Sequence, residues 1–162
     1  MRKTIVALLL WGVAGAAAAA SVAEWTLPAP LGRAWTAVYQ ALENERLWVV
    51  FEADIGAALE GMAARLGEDY NRNRLEGIRS MVFCSARHAN AVANADPRML
   101  ALCPLHLTLY GRDGQTHVVF VRPGVVAAGS PAAPVAAGLE QKVGAAIEAA
   151  RRRLAGIAGE AR

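Results

Sequence analysis

Phe83-Cys84-Ser85-Ala86 opens the stretch that decides the fold, and Arg122-Pro123 closes it. Between them lie Asn90-Ala91-Val92-Ala93-Asn94-Ala95-Asp96-Pro97, then Leu102-Cys103-Pro104, then two β-patterned runs joined at Asp113-Gly114. Leu105, Leu107 and Leu109 alternate with His106, Thr108 and Tyr110. A period of two marks a half-buried strand, because successive side chains leave opposite faces. Asp-Gly is turn chemistry for a hairpin, so His117 to Val121 is expected to return as the partner strand. Upstream, Ile78 to Cys84 reads as a strand, and Ser85 as the cap of a short Ala-rich helix from Ala86 to Ala95. Pro97 closes that helix by restricting its predecessor.

Outward from this stretch the periodicity changes. Leu31, Ala34, Trp35, Val38, Ala41 and Leu42 recur at three- and four-residue steps, one face of an amphipathic helix. Leu47 to Phe51 is expected as a strand with Leu47, Val49 and Phe51 on one face and Trp48 and Val50 on the other. Asp54 is placed to cap a helix striped by Ile55, Ala58, Leu59, Met62 and Leu66 and ended by Gly67. Glu68 to Glu76 is polar and reads as a surface loop, and Gly124 to Ala133 as a Gly/Ala/Pro loop. Val135, Leu139, Val143, Ile147 and Leu154 define a long last helix. Glu24 to Leu27 is short and β-like and stops at Pro28. The order is strand, helix, strand, helix, strand, short helix, hairpin, long helix. It predicts an α+β domain with a mostly antiparallel sheet and its helices on one face.

The first twenty residues have the order of a signal peptide. Arg2 and Lys3 precede an apolar run from Thr4 to Val13, and Ala16 to Ala20 supply small residues for cleavage. That run is a signal-peptide length, shorter than a membrane span. Cleavage after Ala20 leaves residues 21–162 as a single domain, with no membrane span to follow, in a periplasmic or secreted location. The net charge of +3 then loses Arg2 and Lys3, and 3 − 2 leaves about +1. Arg151-Arg152-Arg153 is the one dense basic cluster, and it complements the C-terminal end of a helix dipole. Without a basic stripe or interleaved aromatics, nucleic-acid binding is excluded as a working idea.

The stretch from Phe83 to Pro123 resembles the core signature of the domain of unknown function 302 family. The resemblance rests on Asp96-Pro97, then Pro104 opening a strand, then the Gly114 turn. Ser85-Ala86 departs from the Asn-Pro pair expected there. The resemblance implies a TATA-box-binding-protein-like α+β fold (β-α-β-β-β-β-α type), with a curved sheet and a long C-terminal helix. It permits a homodimer, and it brings no established reaction.

Cys84, His88, Cys103 and His106 form the one cluster of soft or borderline ligands. Their spacing suits a metal ion or a haem axial ligand. In an extended strand Cys103 and His106 differ in parity, so both join one site only if the strand starts after Pro104. A Cys84–Cys103 disulfide, in an oxidising compartment, is the leading reading of the two cysteines, ahead of two buried free thiols and then of a metal or haem site. His106, Tyr110 and His117 are candidates for lining the less apolar sheet face as a ligand surface. Glu52 and Asp54 suit acid–base work only if buried together. Trp25, Trp35 and Trp48 read as core or interface. Gly-x-Ser-x-Gly and His-Glu-x-x-His are absent from the sequence.

Three functions stay open. The leading one is a non-enzymatic binding module for a small ligand, metal or haem, on the sheet face or at the Cys/His cluster. The others are a thiol–disulfide redox enzyme using Cys84 and Cys103, and a homodimeric structural or accessory protein. The leader makes the first prediction. N-terminal sequencing of the exported protein should begin at Ser21, or at Glu24 for a cut after Ala23. Intact chain starting at Met1 in the membrane fraction would show an anchor instead.

Overall fold

In the computed structural model, which describes residues 21–160, Leu105, Leu107 and Leu109 are buried and His106 is exposed. They belong to β4 (Leu105–Arg112), the middle strand of a five-stranded antiparallel sheet. Around it lie β3 (Ile78–Cys84) and β5 (Gln115–Val121), with β1 (Val22–Leu27) and β2 (Trp48–Asp54) at the edges. The strand order is β1-β5-β4-β3-β2. At the β4–β5 turn Asp113 has φ 53° and Gly114 φ 71°. Two successive left-handed residues give a turn whose twist matches that of paired strands. The signal segment expected over residues 1–20 lies outside the described residues.

Two helices close one face of the sheet. Helix α1 (Leu31–Asn44) buries Ala34, Trp35, Val38, Ala41 and Leu42. The long helix α6 (Ala133–Glu160) buries Leu139, Val143, Ile147 and Leu154. Both sets follow the predicted periodicity. Beneath them lie Leu27, Met81, Phe83, Leu107, Leu109, Val118 and Phe120, in one continuous core. Phe83 and Phe120 tilt against each other with ring centroids 6.4 Å apart. Each such side chain contributes about 1.5–3 kcal/mol by leaving water. No helix among the described residues is long and apolar enough to cross a membrane.

The loop after α1 fixes the angle at which β2 enters the sheet. Arg46 N–H donates to Glu43 O at 2.9 Å and Leu47 N–H to Leu42 O at 3.0 Å. This double bond pattern is a Schellman stop, and it places Arg46 in the left-handed position usually held by glycine. Arg46 has φ 56°. Leu42 and Leu47 are both fully buried, which supplies the apolar contact of the motif.

Two expectations are corrected. Strand β2 does not alternate evenly: its pairing with β3 slips between Val49 and Phe51. The extra residue turns Phe51 away from the core, so Phe51 is 61% exposed and no longer shares a face with buried Leu47. The single helix expected over 55–66 is two short ones, α2 (Ile55–Glu60) and α3 (Ala63–Leu66). Gly61 and Met62 interrupt them, and neither helix buries a residue. The cap is as expected, since Asp54 Oδ1 accepts from Ala57 N–H at 2.8 Å.

Helix α4 (Ala86–Ala95) runs into a 3-10 turn over Pro97–Leu102. A further short helix, α5 (Pro123–Val126), follows β5. Asp96 joins these parts. Its carboxylate accepts from Arg98 Nε at 3.1 Å, Arg98 Nη2 at 3.0 Å and Ser130 Oγ at 2.8 Å. The Arg98 bonds first, and then the Ser130 bond, hold its pKa down to about 2 from 3.8.

Leu107→Ala should cost about 2–5 kcal/mol in chemical denaturation, through lost burial and a residual cavity. His106→Ala, on the wet side of the same strand, should cost far less. Equal losses would show the register to be wrong. Asp96 yields a pH signature. A depressed folded pKa contributes stability above 3.8 that is lost as pH falls through about 2. Asp96→Asn should therefore be less stable than wild type at pH 5–7, with the gap closing on acidification into that window.

Candidate functional site

The face of the sheet turned away from α1 and α6 carries no helix. Its side chains stand in rows set by the strand register. One row crosses all five strands: Val22, Val121, His106, Val82 and Phe51. A second runs Glu24, Val119, Thr108, Ser80 and Ala53, and a third Thr26, His117, Tyr110 and Ile78. The first row is apolar at both ends with His106 at its centre. Val22 is 48%, Val121 42% and Phe51 61% exposed.

Tyr110 and His117 are neighbours across the β4–β5 ladder, and their rings stack at 7° with centroids 4.9 Å apart. Glu24 reaches across from β1. Its Oε1 accepts from Tyr110 Oη at 3.1 Å and from His117 Nδ1 at 3.0 Å. A carboxylate only accepts, so Nδ1 is the donor of this bond, and Nε2 is the ring nitrogen left facing away from Glu24. Partial burial first, and then the Glu24 bond and charge, push the Tyr110 hydroxyl pKa up. The three sequence candidates thus share one face, with Tyr110 and His117 joined. His106 stands four residues before Tyr110, about 13 Å along the strand. Glu24 was not singled out in the sequence. In β1 it is one polar residue of an alternating pair, and its role depends on β5 pairing from the other end of the chain.

The Cys/His cluster does not assemble as expected. Cys84 and Cys103 are both free thiols, so the expected disulfide is not formed. The last β3–β4 rung is Phe83 with Leu105. One step further sets Pro104 opposite Cys84, leaving Cys103 out of register. Cys84, His88 and Cys103 border one cavity of about 10 Å³ that is closed by Leu47, Leu105 and Leu139. That is space for about one water and none for a haem. His106 has the opposite parity to Leu105 and faces the open side, so the four-ligand metal set is separated. Among the described residues, no three His, Cys, Asp or Glu side chains are close enough to hold a metal ion. Burial, and then the neighbouring Cys84, raise the Cys103 thiol pKa. A reactive thiol needs the reverse, so the geometry lends nothing to redox chemistry there.

Other candidates serve the fold. Glu52 accepts from Trp35 Nε1 at 3.1 Å and Arg79 Nη2 at 3.3 Å, while the Arg79 guanidinium lies 3.9 Å from the Trp35 ring centroid. Asp54 is committed to its cap, so the two carboxylates form no acid–base pair. Trp25 and Trp35 pack against the core, whereas Trp48 is 52% exposed. A cleft of about 590 Å³ opens between α2 and the 69–78 segment. Several of its polar groups are engaged within the chain: Asp54 caps α2, Asp69 pairs with Arg72, and the Asn71 side chain bonds both the N–H and the carbonyl of Leu75.

The α+β architecture, with one sheet face under α1 and α6 and the other open, defines a small sheet-and-helix domain. The chain belongs to the family described as Domain of unknown function DUF302, whose model matches residues 23–150. Its fold is similar to that of an uncharacterized conserved DUF302 protein from Bacillus stearothermophilus, known from a crystal structure. The TM-score is 0.71 at 17% identity, covering 82% of this chain and 100% of that one. No curated protein matches the sequence.

Proposed function

We propose that the domain is a non-enzymatic binding module that works through the open face of its sheet, and that the occupant of this face is a second copy of the chain. The observation that carries the reading is the symmetry of the first row. Val22 and Val121 lie on one side of His106, and Val82 and Phe51 on the other. Strand β4 is the middle strand. A two-fold axis near His106 lays one apolar half on the other, as an isologous interface requires. Five strands about 4.8 Å apart, each about seven residues long at about 3.3 Å per residue, give a face of roughly 550 Å². Two such faces bury roughly 1,100 Å², past the roughly 1,000 Å² that a biological interface should clear and at the low end of the specific range.

Light scattering on a sizing column should give twice the chain mass at micromolar concentration. Phe51→Lys should run as a monomer with an unchanged far-ultraviolet spectrum. A monomeric wild type, or a dimeric Phe51→Lys, would remove this reading.

A second reading, binding of a metal ion or haem, is favoured by His117. The Glu24 bond fixes its tautomer, which is how proteins orient a metal-binding imidazole. One imidazole is a single ligand, so any partner would complete its shell elsewhere. Haemin added to the purified protein should then give a Soret shift that His117→Ala abolishes. An unshifted spectrum would leave the face to the second copy alone.

A further inference from the structure

On the other side of His88 from the thiols, a cleft of about 570 Å³ opens between the α1–β2 turn, the start of α4 and the flank of α6. Arg46, Arg87 and Lys142 line it, with Trp48 and Glu45. Three permanent cations face one carboxylate, a local charge of +2 by the count 3 − 1. Lys142 lies 3.6 Å from Glu45. Among the described residues neither Arg46 nor Arg87 has a carboxylate partner. His88 lies at the edge of this cleft, and its pKa is lowered by burial first, and then by Lys142 and Arg87. Its Nδ1 is already bonded to Ser85 Oγ at 2.9 Å.

Arg46 occupies a position that costs the fold something. It sits at φ 56°, at a helix stop where glycine carries no steric penalty. A strained residue persisting where the surroundings do not need its side chain for packing points to use of that side chain. Here the use is to aim a guanidinium into the cleft beside Arg87 and Lys142.

We propose that this cleft binds a small organic phosphomonoester, with the phosphate among Arg46, Arg87 and Lys142 and the organic part against Trp48. A phosphomonoester carries about −1.5 to −2 charge near pH 7, which matches the cleft better than a monocarboxylate does. Guanidinium groups take phosphate oxygens in pairs. The half-exposed indole supplies a flat apolar wall. The cleft has the size of a small-molecule site. It is separate from the open-face row, so it stands or falls independently of dimer formation.

The test uses phenyl phosphate and inorganic phosphate as probes at fixed ionic strength, followed by the indole N–H resonance of Trp48 and by calorimetry. Phenyl phosphate is expected to shift that resonance saturably and to bind at least about tenfold tighter than inorganic phosphate, a difference of about 1.4 kcal/mol. Arg46→Gly is expected to raise the melting temperature while weakening phenyl phosphate at least about tenfold. Lys142→Gln should weaken it too, and it keeps the test alive if the Arg46 variant misfolds. Arg153→Gln, whose guanidinium bonds Gln40 on another surface, should leave binding unchanged. No saturable shift, equal affinity for the two probes, or full affinity in both Arg46→Gly and Lys142→Gln would overturn the proposal.

Discussion

The side chains of Met81, Phe83, Leu107, Leu109, Val118 and Phe120, dry beneath α1 and α6, are the constraint on which the rest of the structure depends. A strand that buries one pleat must turn the other outward. Once Leu105, Leu107 and Leu109 are committed to the core, His106, Thr108 and Tyr110 have no choice of side. The same rule carries through the register to the neighbours. It stacks Tyr110 on His117 and brings Glu24 within reach of both. The candidate surface is thus a by-product of core burial rather than a separate construction.

Much of the fold was legible where two signals agreed. Alternation and an Asp-Gly turn together fixed the β4–β5 hairpin, and three- and four-residue spacing fixed α1 and α6. Over shorter runs a single periodic signal misled. Phe51 follows Leu47 and Val49 in strict alternation, but a bulge is invisible to periodicity and turned it outward. The stripe of Ile55, Leu59 and Met62 looks like a buried helix face, yet all three side chains are left exposed, and Gly61 and Met62 split the helix in two. The Cys/His spacing was chemically apt but only partly met: Cys84, His88 and Cys103 border one small cavity, while the parity of His106 sends it to the open side of the sheet. Glu24 and Arg46 could not be found at all from spacing. One acts through a partner at the far end of the chain, and the other through a backbone angle.

Charge in this domain is used as joinery. Asp96 ties the turn after α4 to Ser130, just ahead of α6. Glu140 on α6 accepts from Arg122 Nε at 2.6 Å and from Gly124 N–H at 3.1 Å, which holds α5 against that helix. Glycine is required at 124, where a Cβ would come within 2.9 Å of Glu140 Oε2 and 3.2 Å of Ala137 Cα.

Strand β1 is made first and pairs with the strand that is made last. Strands β2 to β5 form a meander whose neighbours follow one another along the chain, but Val22 meets Val121. Closing so long a segment is entropically costly and slow compared with local pairing. Helix α6, which lays Gly144 against Trp25, comes later still. The nascent chain therefore cannot complete its core until almost all of it has emerged, and a chain that stops short of β5 leaves β4 as a bare edge and β1 without its partner. Such a topology ties completion of the core to the last part of the chain to be made, so loss of α6 or β5 removes partners from every layer of the domain.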